Sequence, residues 1–152
     1  MEVVFKDYGV KFDLPEGVIY YNKNDVLKLL EYNEALRKNC IMVLGNSGLK
    51  TFAIINYLGK VSSQEEFKDI VNASAQENKN LGMTIYSHDR LGSQDGRELY
   101  VQVYKLQNTF TTTIFSRIDD NVIICNCSSD KENFEKTYDF ALKIMQGLFK
   151  AD

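Results

Sequence analysis

The chain predicts an α+β fold, with helices packed on an antiparallel sheet in the order β-β-α-β-β-α-β-β-β-β-α. Three observations predict it. Apolar residues recur at helical spacing in three separate segments. Short runs of β-branched and aromatic residues fill the intervals, bounded by Gly, Asn and Asp. The last four of these runs are joined by turns so short that neighbouring strands must be antiparallel.

Taken in order, Val3 to Lys6 and Val10 to Leu14 are extended runs around Asp7-Tyr8-Gly9, where Gly9 can supply the positive φ of a hairpin turn. Leu14-Pro15-Glu16-Gly17 then turns the chain out of the sheet. Asn24 is placed to cap a first helix whose Val26, Leu29, Leu30 and Leu36 share one side. Cys40 to Leu44 and Thr51 to Leu58 form strands around Gly45-Asn46-Ser47-Gly48. Ser63-Gln64-Glu65-Glu66 is a capping box, followed by a stripe of Phe67, Ile70, Val71, Ala75 and Leu81 that ends at Gly82. A four-strand meander follows: Met83 to Ser87, Arg97 to Leu106, Phe110 to Ile118 and Val122 to Cys127. Its turns carry Asp95-Gly96, Gln107-Asn108 and Asp119-Asp120-Asn121. Ser129-Asp130-Lys131-Glu132 repeats the capping pattern before a last helix with the stripe Phe134, Tyr138, Ala141, Leu142, Met145, Leu148 and Phe149.

At 152 residues the chain is read as one domain, 1–152, long enough to fold without metal or disulfide. A net charge of −3 with no local Lys/Arg cluster argues against nucleic acid, whose phosphates need a basic surface. No stretch approaches the roughly 20 apolar residues of a membrane-spanning helix, so no membrane insertion is expected. The opening Met1-Glu2-Val3-Val4-Phe5-Lys6 does not read as a secretory signal, and three cysteines do not make a disulfide framework; a cytoplasmic location is expected.

Three stretches invite a chemical reading. Cys125 and Cys127 share one face of a strand, about 6.6 Å apart. That separation is too wide for a disulfide, whose Cβ atoms lie roughly 3.5–4.5 Å apart. A zinc site would have to recruit Cys40 and His88 from unrelated segments, so core packing is the expectation, with no metal and no cofactor. Residues 43 to 51, "VLGNSGLKT", imitate a phosphate-binding loop, but Leu49 precedes Lys50 and a strand-like segment follows, so a hairpin turn is expected. His88-Asp89-Arg90 holds the only histidine; no nucleophile is marked beside it, and it reads as a loop at a strand end. No catalytic residue is assigned.

The aromatic residues say more. There are nine Tyr and nine Phe and no Trp. Leu99, Val101 and Val103 alternate with Tyr100, Gln102 and Tyr104, and on the next strand Thr111, Thr113 and Arg117 alternate with apolar residues. One sheet face is therefore core and the other polar. That polar face is either solvated, half-covered by the first helix, or a binding surface made of Tyr100, Gln102, Tyr104, Thr111, Thr113 and Arg117. Tyrosine suits the last role because it offers contact area at low entropic cost.

The opening "FKDYGVKFDLPEGVIYY" and the closing "VIICNCSSDKENFEKTYDFALKIMQGLF" resemble the two ends of PsbP-like domains, and the element order between them is similar. Val18-Ile19 stands where such domains often carry Trp. The resemblance implies an α/β/α sandwich around the antiparallel sheet. Members include a photosystem II extrinsic subunit, a nuclear Ran-binding protein, bacterial lipoproteins and type VI secretion effector chaperones. They mostly bind proteins and share no catalytic motif. The expectation is therefore a non-enzymatic protein-binding domain, an adaptor or chaperone for a secreted or membrane-associated partner. The alternative is a small-molecule binder or enzyme using a pocket between sheet and helices.

Overall fold

The computed structural model describes residues 1–29, 38–92 and 97–152. Leu30, Leu36 and the Asp95-Gly96 turn lie outside the described residues.

The domain is α+β, and every strand pairing is antiparallel. Strands β1 (Glu2–Phe5) and β2 (Val10–Asp13) form the expected hairpin around a 3-10 turn at Lys6–Tyr8, closed by Gly9 at φ +65°. β3 (Val18–Tyr21) and helix α1 (Lys23–Leu29) come next. They are followed by β4 (Cys40–Asn46), β5 (Phe52–Lys60) and α2 (Gln64–Asn80). The meander comprises β6 (Thr84–Gly92), β7 (Glu98–Leu106), β8 (Thr109–Ile118) and β9 (Asn121–Asp130). Helix α3 (Phe134–Gln146) and β10 (Leu148–Lys150) close the chain. Seven strands form one sheet in the order β3-β4-β5-β9-β8-β7-β6, and β1-β2-β10 form a second.

Two strands depart from the expected order. After Pro15-Glu16-Gly17, residues Val18–Tyr21 return to the main sheet and pair with β4. Leu148 and Phe149, which fit the stripe of the last helix, pair instead with Phe12 and Lys11 of β2. The helix stops because Gly147 lies against β2: its carbonyl accepts from the Asp13 amide at 2.7 Å. Local periodicity carries no trace of that distant partner.

Alternation along β9 divides the core. Ile123, Cys125 and Cys127 point toward α3, joining Phe140, Ala141, Ile144 and Met145 with Leu99, Val101 and Val103 of β7. Val122 and Ile124 point the other way, toward Phe67 and Val71 of α2. Val26 and Leu27 of α1 pack on Val43 and Ile54 of that same second face.

The caps follow the sequence unevenly. Ser63 caps α2, its hydroxyl accepting from the Glu66 amide at 3.1 Å. Glu66 reaches back to the amide and hydroxyl of Ser62, and those bonds hold its carboxyl below the usual carboxylate range. Asn22, not Asn24, caps α1: its Oδ1 accepts from the amides of Asn24 and Asp25. No serine caps α3. β9 runs on through Asp130, and the Asp130 carboxylate accepts instead from the amide and side chain of Asn133. Leu81, assigned to the α2 stripe, lies past the helix end and is 64% exposed.

Candidate functional site

Strand β6 is where the structure departs most from the local sequence signal. It was expected to end at Ser87, with His88-Asp89-Arg90 in a loop. It runs to Gly92, and those three residues pair with Gln102, Val101 and Tyr100 of β7. A hairpin partner must match its neighbour's length, and β7 is nine residues long. β6 is the last strand of the seven-stranded sheet, and among the described residues no strand lies beside its outer edge.

A bulge between Ile85 and Ser87 adjusts which side chains face which way. Beyond it, His88 and Arg90 share the α2 face with Gln102 and Tyr100. Ser87 and Asp89, opposite Val103 and Val101, share the α3 face. Tyr86, the bulged residue, packs edge-on against Phe110 and Phe134 on the α3 side and is 59% exposed.

Each face of this edge opens into a cavity. Between α2 and β6–β7 lies a space of about 440 Å3 bordered by Lys68, Asn72, His88, Arg90, Tyr100 and Gln102. Arg90 stands over the Tyr100 ring with its guanidinium carbon 5.8 Å from the centroid. Between α3 and the same strand lies a second space of about 370 Å3, bordered by Tyr86, Asp89, Phe134, Glu135, Tyr138 and Asp139. Burial pushes the Tyr138 phenol up, and the carboxylates of Asp89 and Asp139 push it further, so this side is electronegative.

The six residues of the expected polar face are not one surface. Gln102 and Tyr104 are buried beneath α2, each 1% exposed. Gln102 donates through Nε2 to the Val71 carbonyl at 3.1 Å and accepts from the Tyr104 hydroxyl. The cover over these two is thus α2, not the first helix. Tyr100 stays half-buried at the cavity, packed edge-on against Phe67 and donating to Glu98 at 2.9 Å. Gln64 links it to Arg117, donating to the Tyr100 hydroxyl and accepting from the guanidinium, both at 3.4 Å. Thr111 and Thr113 pair with Tyr104 and Gln102 across the sheet and bond onward to Ser128 and Asn126 of β9. Alternation identifies the face correctly but is blind to what packs upon it. Lys68 and Asn72 carry no signal in the sequence for that reason, and His88 and Arg90 read there as a loop. The one signal that could have found the last two was the length that β7 demands of its partner.

The remaining chemical stretches resolve as local structure. "VLGNSGLKT" is the β4–β5 hairpin, with Asn46 Oδ1 accepting from the Gly48 amide at 2.9 Å. Cys125 and Cys127 are free thiols buried in the core below α3. The neighbouring Cys127 thiol and full burial push the Cys125 thiol well up, away from the reactive thiolate. Among the described residues no helix is long and apolar enough to cross a membrane.

No protein-family model matches the chain, and no curated protein matches its sequence. Its structure does match solved ones. The solution structure of cyanobacterial PsbP from Synechocystis sp. PCC 6803 superposes with a TM-score of 0.62 at 10% identity, covering 99% of this chain and 91% of that one. The Ran-binding protein Mog1p of Saccharomyces cerevisiae gives 0.57 at 13% identity, covering 100% and 95%. LpqN of Mycobacterium tuberculosis, involved in cell envelope biogenesis, gives 0.60 at 9% identity, covering 94% and 83%. The chain has the PsbP-like fold.

Proposed function

We propose that this chain is a non-enzymatic protein-binding domain, an α/β/α sandwich that holds its partner at the β6 edge of the main sheet. The observation that carries the reading is that edge: nine residues with no strand beside them among the described residues, an exposed Tyr86, and an open groove on either face. Such an edge offers main-chain donors and acceptors to an incoming chain. Tyr100 and Arg117, joined through Gln64, extend the surface along α2. The Ran-binding description of Mog1p supports a protein partner for this fold. An adaptor or chaperone role is the form of protein binding that asks for no catalytic group.

Affinity capture from the native cell extract tests this. The tagged chain retains a stoichiometric partner, and Tyr86→Ala lowers the retained amount about ten-fold, as loss of an interface tyrosine does. A partner held equally by the variant moves the interface elsewhere. An empty column for the unaltered chain removes the reading.

A second reading has its own observation, the cavity between α2 and β6–β7. At about 440 Å3, with two cations and several amide and hydroxyl groups, it is of a size and polarity to hold a small organic anion. A ligand of that kind raises the thermal midpoint of the isolated chain. A panel of phosphorylated and carboxylated metabolites that leaves the midpoint unmoved eliminates it.

A further inference from the structure

The geometry points to a specific occupant for the β6 edge: an extended segment of another protein, added antiparallel or parallel to β6, whose side chains alternate acidic and basic. This rests on the protein-binding reading and gives the partner its chemistry.

The two faces of the edge differ in charge, cations prevailing in the α2 groove and carboxylates in the α3 groove. On the α2 side are the cations Lys68 and Arg90; Asp89 also borders this space, and Glu98 accepts from the Tyr100 hydroxyl at its end. Among the described residues neither cation has an ion pair, and Arg90 is engaged only with the Tyr100 ring. On the α3 side are Asp89, Glu135 and Asp139, set among the rings of Tyr86, Phe134 and Tyr138. The side chains of an added strand point alternately to the two faces. Successive residues therefore meet cations, then carboxylates and aromatic faces, then cations again. A segment with acids at one parity and Lys or Arg at the other satisfies both grooves, the long basic side chains lying along the aromatic rings.

The same division argues against antiparallel pairing with a second copy of this chain; a parallel pair, which sets each α2 groove beside the partner's α3 groove, is an outcome of the test below. Two β6 edges paired antiparallel about a two-fold axis keep each α2 groove on the same side of the joined sheet. Lys68 and Arg90 would then meet their own counterparts, and the three carboxylates theirs. Like charges brought together in this way repel. The charged edge and its bulge thus block indiscriminate pairing while admitting a strand of the right pattern.

The test uses the whole chain and two synthetic octapeptides of identical composition. One alternates Glu and Lys; the other repeats Glu-Glu-Lys-Lys, which mixes both charges on each face. In an NMR titration at low salt the alternating peptide binds about ten-fold more tightly than the permuted one. Its binding shifts the amides of β6 and slows their hydrogen exchange, and it weakens as salt is raised. Lys68→Glu combined with Arg90→Glu abolishes the preference while the free chain's thermal midpoint stays within a few degrees. Equal affinity for the two peptides overturns the inference. So do shifts confined to residues outside β6 and its flanking grooves, no binding of either peptide, or a concentration-dependent dimer through β6. Capture of a partner that depends on Tyr86, alongside any of these outcomes, removes the charge-patterned strand and leaves the protein-binding reading standing.

Discussion

Replacing Tyr104 with alanine is expected to destabilise the domain by about 3–5 kcal/mol, the range for truncating a large aromatic in a core. Tyr104 is 1% exposed, and its hydroxyl donates to Gln102, whose own amide is committed to the Val71 carbonyl of α2. Truncation therefore empties a ring-sized volume between β7 and α2 and leaves the Gln102 oxygen without its donor. Tyr104→Phe separates the two contributions, keeping the ring and costing only about 1 kcal/mol for the lost hydrogen bond. Urea unfolding of both variants checks this, and a loss below about 1 kcal/mol for alanine would show that α2 does not clamp this side chain. The consequence for function is practical. A binding assay on a variant lacking both Tyr100 and Tyr104 would report unfolding, whereas Tyr86, 59% exposed, can be removed to probe the edge itself.

Gly147→Ala is expected to cost about 3 kcal/mol, at the upper end of overpacking penalties, although the helix-ending backbone at φ −89° suits any residue. A methyl group there would stand 2.2 Å from the Asp13 carbonyl oxygen and 3.2 Å from its carbon. Both are backbone atoms of β2 and cannot rotate aside. The 2.7 Å bond from the Asp13 amide to the Gly147 carbonyl draws the two segments into this contact, and β10 begins immediately after it. Relief requires α3 or β2 to shift, so the register Leu148↔Phe12 and Phe149↔Lys11 should weaken first. Hydrogen exchange in the variant should accelerate at β10 and β2 before the main sheet. Unchanged stability would mean that the helix end can move away freely.

Much of this architecture is written in local pattern. The meander was legible because β-branched and aromatic runs alternate between turns that only antiparallel strands can use, and β7, β8 and β9 fall within a few residues of where alternation places them. Ser63 and Glu66 announced the start of α2 because a cap is a contact among neighbours in sequence. The resemblance of the two chain ends to PsbP-like domains agreed with the fold for a related reason, since turns and caps recur wherever the same elements must be joined.

The candidate site was less legible. Alternation showed that Tyr100, Gln102 and Tyr104 share a face, but not that α2 lies over two of them. His88, Asp89 and Arg90 looked like a loop because charged residues have weak strand preference, and only pairing with β7 holds them extended at the sheet edge. The stripe of the last helix ran through Gly147 to Phe149, whereas the tightest constraint on Gly147 comes from Asp13, far away along the chain. The sequence by itself determined the strands β7 to β9 and their faces and the start of α2, because those follow from interactions within a few residues. Only the tertiary structure decided which polar residues were buried, which strand became an edge, and which charged residues gather on each of its faces. Those properties depend on which distant segments come together, and burial and electrostatics act through space.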